Sequence, residues 1–366
     1  MSKKIKWWEP RFGNEEKRLI CQAIDRSFPN EGEMTALFEE KISNLLGSKF
    51  AVTVTSGTAA MFLSLKALGV GHGDEVIVPD ITFIATANAV SMCGATPVLV
   101  DVDPKSLTLS PEKFLQAVSD KTKAVIPVHI SGRAADLQAI LEIAESHNIY
   151  VVEDAAEAFM SKYHDKYLGT YGTTGCFSLS AHKTITTGQG GVIITDNEEI
   201  HERLRELKDQ GRHGRGTGGD DLHYAIGYNF KFTDLQAALG LGQLTVLDSR
   251  IDRMKRTYQM YKEELDNIEG ISLFSFKVVD GEFPQWTDAL VEDRNELDNY
   301  LQNLKIDCRK FWLPLHTQTP YLMPDDHFTT STELSQKAIW LPSAFTLTDA
   351  DVLTVCSEIK RYYQQD

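Results

Sequence analysis

The sequence predicts an α/β protein with a mostly parallel central sheet flanked by helices, plus a smaller α+β C-terminal domain. Short apolar runs alternate with helix-periodic segments through the first half, as in sheets that helices cover on both faces. The 366 residues suffice for two domains, and we expect a large one over residues 1–250 and a small one over residues 251–366. Hydrophobic residues make up 42%, which is typical of a globular protein with a sizeable core.

The predicted elements of the large domain follow one another at short intervals. Apolar, β-rich runs predict strands at 50–54, 75–79, 96–101, 124–128, 149–152 and 192–194. Helical periodicity predicts helices at 59–68, 85–92 and 136–147, and one long helix at 235–265 that links the two domains. Residues 211–221 contain five glycines in eleven positions and predict a mobile loop.

Charge and composition exclude several classes of protein. With 37 Lys+Arg against 52 Asp+Glu, the net charge is −15, which argues against nucleic acid as a partner. No apolar run predicts a membrane span, and the N-terminus has no apolar core of a secretory signal. The five cysteines are scattered without a C-x-x-C pair, so we expect reduced thiols, no metal site and a cytoplasmic protein.

Asp154 and Lys183 are the residues with the clearest chemical potential. Asp154 ends an apolar strand, so its carboxylate should emerge at the edge of the sheet where sites form; a helix N-cap is the alternative. Lys183 precedes a glycine-rich turn, where a desolvated amine can form a Schiff base. For Lys183 the alternative is a solvated surface lysine.

Four segments in order carry a family resemblance. They are residues 55–90, EDAAEA at 153–158, FSLSAHKTITTGQGG at 177–191 and GYNFKFTDLQAALG at 227–240. Together they resemble the sugar aminotransferases of the DegT/DnrJ/EryC/StrS type, most clearly over residues 10–265. The resemblance implies the fold-type I fold of transferases that depend on pyridoxal 5'-phosphate (PLP), with residues 1–250 as the PLP-binding domain. It also implies a homodimer with shared active sites.

The resemblance assigns roles to individual residues. Lys183 would form the Schiff base with the cofactor and move the proton, and Asp154 would pair with the pyridine nitrogen. The other implied cofactor-binding residues are Gly57, Thr58 and Ser178 at the phosphate, Phe83 stacked on the ring, Glu157 near the phenolic oxygen, and Asn229 reaching the phosphate from the second subunit. Without the motifs, Phe83 reads as core, Ser178 as a hydroxyl bonded to backbone, and Asn229 as a turn residue.

Glu157 and His182 bear on the choice of reaction. Glu157 stands where many members have Gln, and some perosamine-type members also carry Glu, which favours a 4-keto-6-deoxy sugar. We expect Glu157 to be protonated or bonded to a donor, because a second negative charge near the phenolic oxygen is costly. A dehydratase branch has His in place of the lysine, but the register of KTITTG makes Lys183 the Schiff-base residue and His182 its neighbour.

Three further residues are candidates for substrate binding: His182, Arg133 and His316. Arg133, in the segment HISGR at 129–133, would bind a carboxylate or phosphate, with a surface arginine as the alternative. His316 matches a family histidine near the sugar, or else is structural. In the glycine-rich loop, Arg212, His213 and Arg215 would close over a diphosphate or simply be solvated.

The sequence therefore predicts a PLP-dependent aminotransferase. It would move an amino group from L-glutamate to a keto sugar, specifically a nucleotide-linked 4-keto-6-deoxy sugar, in amino-sugar biosynthesis for lipopolysaccharide O-antigen. A PLP-dependent sugar dehydratase and a non-catalytic relative of the same fold are the alternatives. The register that makes Lys183 the Schiff-base residue weighs against the dehydratase, and the intact Lys183, Asp154 and phosphate-site residues weigh against the non-catalytic relative.

Overall fold

The computed structural model describes residues 4–27, 29–212 and 222–364. The helices are α1 Asn14–Asp25, α2 Glu33–Leu46, α3 Gly57–Ala67, α4 Ala85–Met92, α5 Pro111–Ala117, α6 Leu137–Ser146, α7 Glu198–Lys208, α8 Asp234–Leu244, α9 Leu247–Leu265, α10 Arg294–Asn303, α11 Thr329–Lys337 and α12 Asp349–Tyr363. The strands are β1 Phe50–Val54, β2 Glu75–Pro79, β3 Thr96–Val100, β4 Thr122–Val125, β5 Tyr150–Asp154, β6 Lys162–Tyr163, β7 Lys166–Tyr167, β8 Thr174–Ser178, β9 Gly191–Thr195, β10 Ile271–Leu273, β11 Asp288–Val291, β12 Arg309–Lys310 and β13 Ala338–Trp340.

The central sheet has seven strands in the order β1-β9-β8-β5-β4-β2-β3. Strands β8, β5, β4, β2 and β3 pair in parallel, and β9 is antiparallel to both of its neighbours. The predicted mostly parallel sheet flanked by helices is confirmed. Because β1 runs in the same direction as β8 and β5, the carboxyl ends of these three strands meet at one edge.

The strands are short and apolar because helices cover them. In β2, every residue after Glu75 is buried, and α3 buries eight of its residues against the sheet. Helix α3 begins directly after β1, where the Ser56 hydroxyl accepts a hydrogen bond from the Ala59 amide at 3.1 Å. This cap fixes the turn from β1 into α3 at the edge where the strands end.

A second, antiparallel sheet lies in the C-terminal part, in the order β10-β11-β13-β12. Side chains of α9, α10 and α12 form its core, with Tyr261, Leu301 and Ile359 fully buried. The chain thus contains the strands and helices expected of an α+β region. The boundary at residue 250 remains a prediction.

The single long helix predicted at 235–265 is wrong, since α8 ends at Leu244 and α9 begins at Leu247. Val246 has φ −116° and ψ 10°, outside the helical region, and the Thr245 hydroxyl donates to the Gly242 carbonyl at 2.7 Å. Two consecutive β-branched residues, one of them bonded back to the preceding turn, favour the break. The side-chain period continues across it, which is why the pattern predicts one helix.

Two other predictions differ in extent. The strand predicted at 124–128 ends at Val125, because Pro127 has no N–H to donate, and Val128 rejoins the sheet only through a bridge to Asp154. The predicted mobile loop, with His213 and Arg215, falls on residues 213–221, outside the described residues. Arg212 lies within them and pairs with Asp209 at 2.9 Å. None of the described helices is both long and apolar enough to cross a membrane.

Candidate active site

A cavity of about 290 Å³ lies at the edge of the large sheet where β1, β5 and β8 end. Residues from these strand ends, from α3 and α4, and from the C-terminal part line it. The cavity brings together eight of the residues singled out in the sequence: Gly57, Thr58, Phe83, Asp154, Glu157, Ser178, His182 and Lys183. Most of the predicted site residues therefore lie together in one cavity.

Asp154 lies at the last position of β5 and is 5% exposed. Its Oδ2 accepts a hydrogen bond from the Thr86 hydroxyl at 2.8 Å, and its Oδ1 accepts one from the Ala156 amide at 3.1 Å. The helix-cap alternative is wrong, because the described chain forms no helix directly after Asp154. Burial raises the pKa of Asp154, so the ionised carboxylate requires a positive partner.

Lys183 lies in the turn that follows β8, with 13% of its side chain exposed. Its Nζ is 3.3 Å from Oε1 of Glu157 and 4.8 Å from the centre of the Trp286 ring. A largely buried amine held over an aromatic ring is not a solvated lysine, so the surface alternative is wrong. The amine points into the cavity that Asp154 also lines.

Glu157 connects Lys183 to a strained turn. Burial raises the pKa of Glu157, and its Oε2 accepts a hydrogen bond from the Ser131 amide at 3.0 Å. The donor expected from the sequence is thus present. Ser131 has φ +56°, a left-handed conformation that is costly for a residue other than glycine. In this conformation its N–H donates the hydrogen bond to Glu157.

These contacts form a closed ring around Lys183. The Ser131 carbonyl accepts from the Gln285 amide at 2.8 Å, and Gln285 Oε1 accepts from the amide and hydroxyl of Thr184 at 3.4 and 3.2 Å. Thr184 is joined to Lys183 by the peptide bond, and Glu157 closes the ring. The position of the amine therefore depends on Gln285, a residue of the C-terminal part.

The turn at residues 56–58 lies against β8 and β9 at van der Waals distance. A Cβ at Gly57 would lie 3.0 Å from Cβ of Ser178, and one at Gly191 would lie 2.3 Å from the Ser56 carbonyl oxygen. Only glycine allows this approach. It leaves the N-terminus of α3 facing the cavity beside the Ser178 hydroxyl, and helix N-termini favour phosphate groups.

Phe83 lies at the cavity mouth, 53% exposed, with its ring 6.3 Å from that of Trp312. The core alternative for Phe83 is therefore wrong. His182 is exposed at the same mouth, 5.8 Å from the Trp7 ring. Burial, together with the charges of Arg309 and Lys183, lowers the pKa of His182 and favours its neutral form.

Arg133 and His316 lie outside the cavity lining. Arg133 is 4% exposed and forms two bonds of 3.1 Å to Asp288, so neither substrate contact nor the surface alternative describes it. His316 is fully buried, with Nδ1 2.7 Å from Asp80 and Nε2 3.1 Å from Asp325. The structural alternative for His316 is the one that the geometry matches.

Asn229 is exposed and also lies outside the cavity of its own chain. Its backbone forms a bridge with Asp209. The prediction that it reaches a second subunit stays a prediction.

The cavity residues that the sequence reasoning does not identify include Thr86, Trp286, Arg309 and Trp312. Thr86 belongs to the motif at 55–90 and could have been found as a hydroxyl three residues after Phe83. Trp286, Arg309 and Trp312 come from the C-terminal third, where the pattern is irregular. Their contact with Lys183 and Phe83 arises only from tertiary packing.

Comparison with known proteins places this geometry in a family. Residues 10–360 match the DegT/DnrJ/EryC1/StrS aminotransferase family. The chain is 35% identical to the GDP-perosamine synthase of Escherichia coli O157:H7 over 99% of both chains. It is 38% identical over 269 residues to a Bacillus subtilis spore coat polysaccharide biosynthesis protein, covering 72% of this chain and 69% of that one. The solved structure of S. venezuelae DesV with a ketimine intermediate aligns at TM-score 0.90 and 29% identity, covering 98% and 99%.

The chain belongs to the DegT/DnrJ/EryC1/StrS aminotransferase family. It is a PLP-dependent sugar aminotransferase. The described cavity fits the cofactor: an amine (Lys183), a buried carboxylate (Asp154) and a helix N-terminus (Gly57) line one enclosed space. These are the three groups that a pyridine aldehyde bearing a phosphate requires.

Proposed function

We propose that this enzyme moves the amino group of L-glutamate to a nucleotide-linked 4-keto-6-deoxy sugar. The observation that carries the proposal is the position of the largely buried Lys183 side chain, whose Nζ lies in the cavity that Asp154 lines. The perosamine synthase relative favours GDP as the nucleotide. Glu157, which some perosamine-type members share, favours the 4-keto-6-deoxy sugar.

When bound, PLP supplies a cationic ring that withdraws electrons from the amino-acid carbon as its proton leaves. In this proposal Lys183 holds the cofactor covalently and then carries that proton on its freed amine. Asp154 pairs with the ring nitrogen, and the bonds from Thr86 and Ala156 fix the direction of its carboxylate. The positive ring nitrogen offsets the cost of the buried charge on Asp154.

The remaining cofactor residues hold the phosphate and the ring. Gly57 and Thr58 offer backbone N–H groups at the start of α3, and Ser178 adds its hydroxyl. Phe83 would cover one face of the ring. Glu157 orients Lys183 through the contact of 3.3 Å and would lie near the phenolic oxygen of the bound cofactor.

Of the three candidates for substrate binding, we propose His182. It is exposed at the cavity mouth and favours its neutral form, which can donate or accept a hydrogen bond to sugar hydroxyls. Arg133 and His316 are not proposed as substrate ligands, because buried acidic side chains already hold both of them.

We further propose a homodimer in which Asn229 of each chain completes the site of the other. Asn229 is exposed, and Leu222, Tyr224 and Ile226 close to it are 51%, 61% and 87% exposed. Exposed apolar residues in a cluster are typical of an interface.

The two domains would span residues 1–250 and 251–366. The enzyme would act in the cytoplasm, and its product would be used to make lipopolysaccharide O-antigen. The name of the Bacillus relative gives that protein a role in polysaccharide biosynthesis, which is consistent with this use.

A panel of keto sugars tests the acceptor. The amine-loaded enzyme is mixed with 4-keto-6-deoxy and 3-keto-6-deoxy sugars linked to GDP, dTDP or UDP, and the products are identified by mass spectrometry and NMR. We expect amination of a GDP-linked 4-keto sugar. Amination of 3-keto sugars alone would contradict the proposed acceptor, and failure of L-glutamate to load the enzyme with the amine would contradict the donor.

A further inference from the structure

Arg309 is a cavity residue to which none of the arguments so far gives a role. It lies on the edge strand β12, opposite Trp340 of β13. The next residue, Lys310, is exposed and lies 3.5 Å from Asp298. Because successive side chains of a strand point to opposite faces, Arg309 faces the cavity and Lys310 faces away from it.

The Arg309 guanidinium is held by aromatic rings and forms no ion pair among the described residues, although the charge of Glu157 acts on it from a distance. It lies 5.0 Å from the centre of the Trp7 ring and 5.5 Å from that of Trp340. Burial lowers its pKa, but a guanidinium stays charged at neutral pH. A partly buried charge without a partner is costly, and that cost falls when an anion binds.

Arg309 also lines both the active-site cavity and a neighbouring surface hollow. It lines the cavity that contains Lys183 and, with His182, an adjoining hollow of about 420 Å³. Two other cations line the hollow, but Lys4 pairs with Asp307 at 2.9 Å and Lys6 pairs with Glu9. Within the described part of the hollow, Arg309 is the cation that remains available to a ligand.

We propose that Arg309 binds an oxyanion of a substrate at the entrance to the site. The inference rests on the proposed function, whose two substrates both carry such a group: the donor a carboxylate and the nucleotide-linked acceptor a diphosphate. A guanidinium binds either one through two parallel hydrogen bonds. The rings of Trp7 and Trp340 restrict the guanidinium plane, so little freedom is lost on binding.

The test compares Arg309→Gln with Arg309→Lys and with the matched control Lys310→Gln. Each holoenzyme is studied in its two half-reactions, first with L-glutamate and then, after amine loading, with the nucleotide sugar. In Arg309→Gln we expect the concentration for half-saturation to rise about 10- to 100-fold in one half-reaction. Arg309→Lys should recover part of the loss, and Lys310→Gln should match the wild type.

The half-reaction affected identifies the anion. A change with glutamate alone assigns the carboxylate, and a change with the nucleotide sugar alone assigns the diphosphate. Unchanged saturation in both, with the cofactor absorbance intact, would overturn the role of Arg309 and leave the proposed function standing. A wild-type enzyme whose cofactor absorbance does not respond to glutamate would instead contradict the proposed donor.

A second measurement does not depend on the folding of Arg309→Gln. Trp7 and Trp340 lie beside the guanidinium, so we expect their fluorescence in the wild-type holoenzyme to change saturably with glutarate or with GDP. If Arg309→Gln fails to fold, an absent response to both anions would overturn the inference. A saturable response that Arg309→Lys shows more weakly would support it.

Discussion

Asp154 is buried in a way that disfavours its own charge. It is 5% exposed, and burial raises its pKa despite the hydrogen bonds from Thr86 and Ala156. In the cofactor-free protein the folded state therefore binds this proton more tightly than the unfolded state. The protonated Asp154 therefore contributes to the free energy of unfolding at low pH, and this contribution is lost as pH rises above the ordinary carboxyl range.

Asp154→Asn should separate stability from activity. We expect it to lower kcat about 1000-fold or more, because an amide cannot keep the ring nitrogen protonated. In the cofactor-free protein it should raise the free energy of unfolding at pH 7 and have little effect near pH 3. Urea unfolding at the two pH values measures this. Equal stability of both proteins at pH 7 would contradict the raised pKa.

Glu157→Gln tests the second buried carboxylate. The amide oxygen can still accept from Ser131, so we expect kcat to change by no more than about tenfold. Because burial raises the pKa of Glu157, the wild-type rate should include a titration above the ordinary carboxyl range that the variant lacks. Rate profiles between pH 5 and 9 measure this. Identical profiles would show that Glu157 does not titrate in this range.

For individual residues, the sequence predicts the role of those at strand ends and in the turns beside strands. It does not predict the role of residues that depend on distant partners. Asp154 ends β5, which the strand pattern predicts, and Lys183 precedes the glycine-rich turn that leads into β9, so local patterns place both at the site. Arg133 binds Asp288, 155 residues away, and His316 binds Asp80, 236 residues away. No local pattern reveals such pairs.

Among the elements, the glycine at the start of β9 has a measurable packing role. Gly191→Ala would place a Cβ 2.3 Å from the Ser56 carbonyl oxygen and 2.9 Å from the Gly57 nitrogen. We expect it to displace the start of α3, destabilise the fold by about 1–3 kcal/mol and weaken cofactor binding at least about tenfold. Gly71→Ala, where the Cβ meets open space, is the control and should behave as wild type.

The ring through Gln285 ties the C-terminal part to Lys183. Gln285→Leu leaves the Thr184 amide and hydroxyl without their acceptor, which should cost about 1–3 kcal/mol and lower kcat about tenfold. Gln285→Glu keeps an acceptor and should retain more activity. Steady-state kinetics and thermal unfolding distinguish the two, and equal kcat for Gln285→Leu and wild type would contradict this role.

At the scale of the whole molecule, the alternation of strands and helices predicts the large sheet. It does so because each buried strand is short and apolar. The C-terminal sheet is antiparallel, with strands as short as two residues, and such strands leave too few positions for a pattern. Trp286, Arg309 and Trp312 enter the site from that region, so the sequence does not show them.

A mixing experiment tests the shared site. Lys183→Ala and Asn229→Ala are each expected to be inactive alone, because one lacks the amine and the other a phosphate contact. Unfolded together and refolded, they should recover roughly a quarter of wild-type activity, since half of the dimers would carry one intact site. Recovery of no activity, with mixed dimers present by mass spectrometry, would contradict the sharing of Asn229.

The most direct test of the account is a single turnover of the PLP-loaded enzyme with L-glutamate, in the wild type and in Lys183→Ala. The wild type should release one equivalent of 2-oxoglutarate per chain, lose its visible absorbance and then aminate the keto sugar. Lys183→Ala should be slower by about 1000-fold or more, because the amine that carries the proton is gone. A Lys183→Ala protein that turns over at the wild-type rate would contradict the central claim.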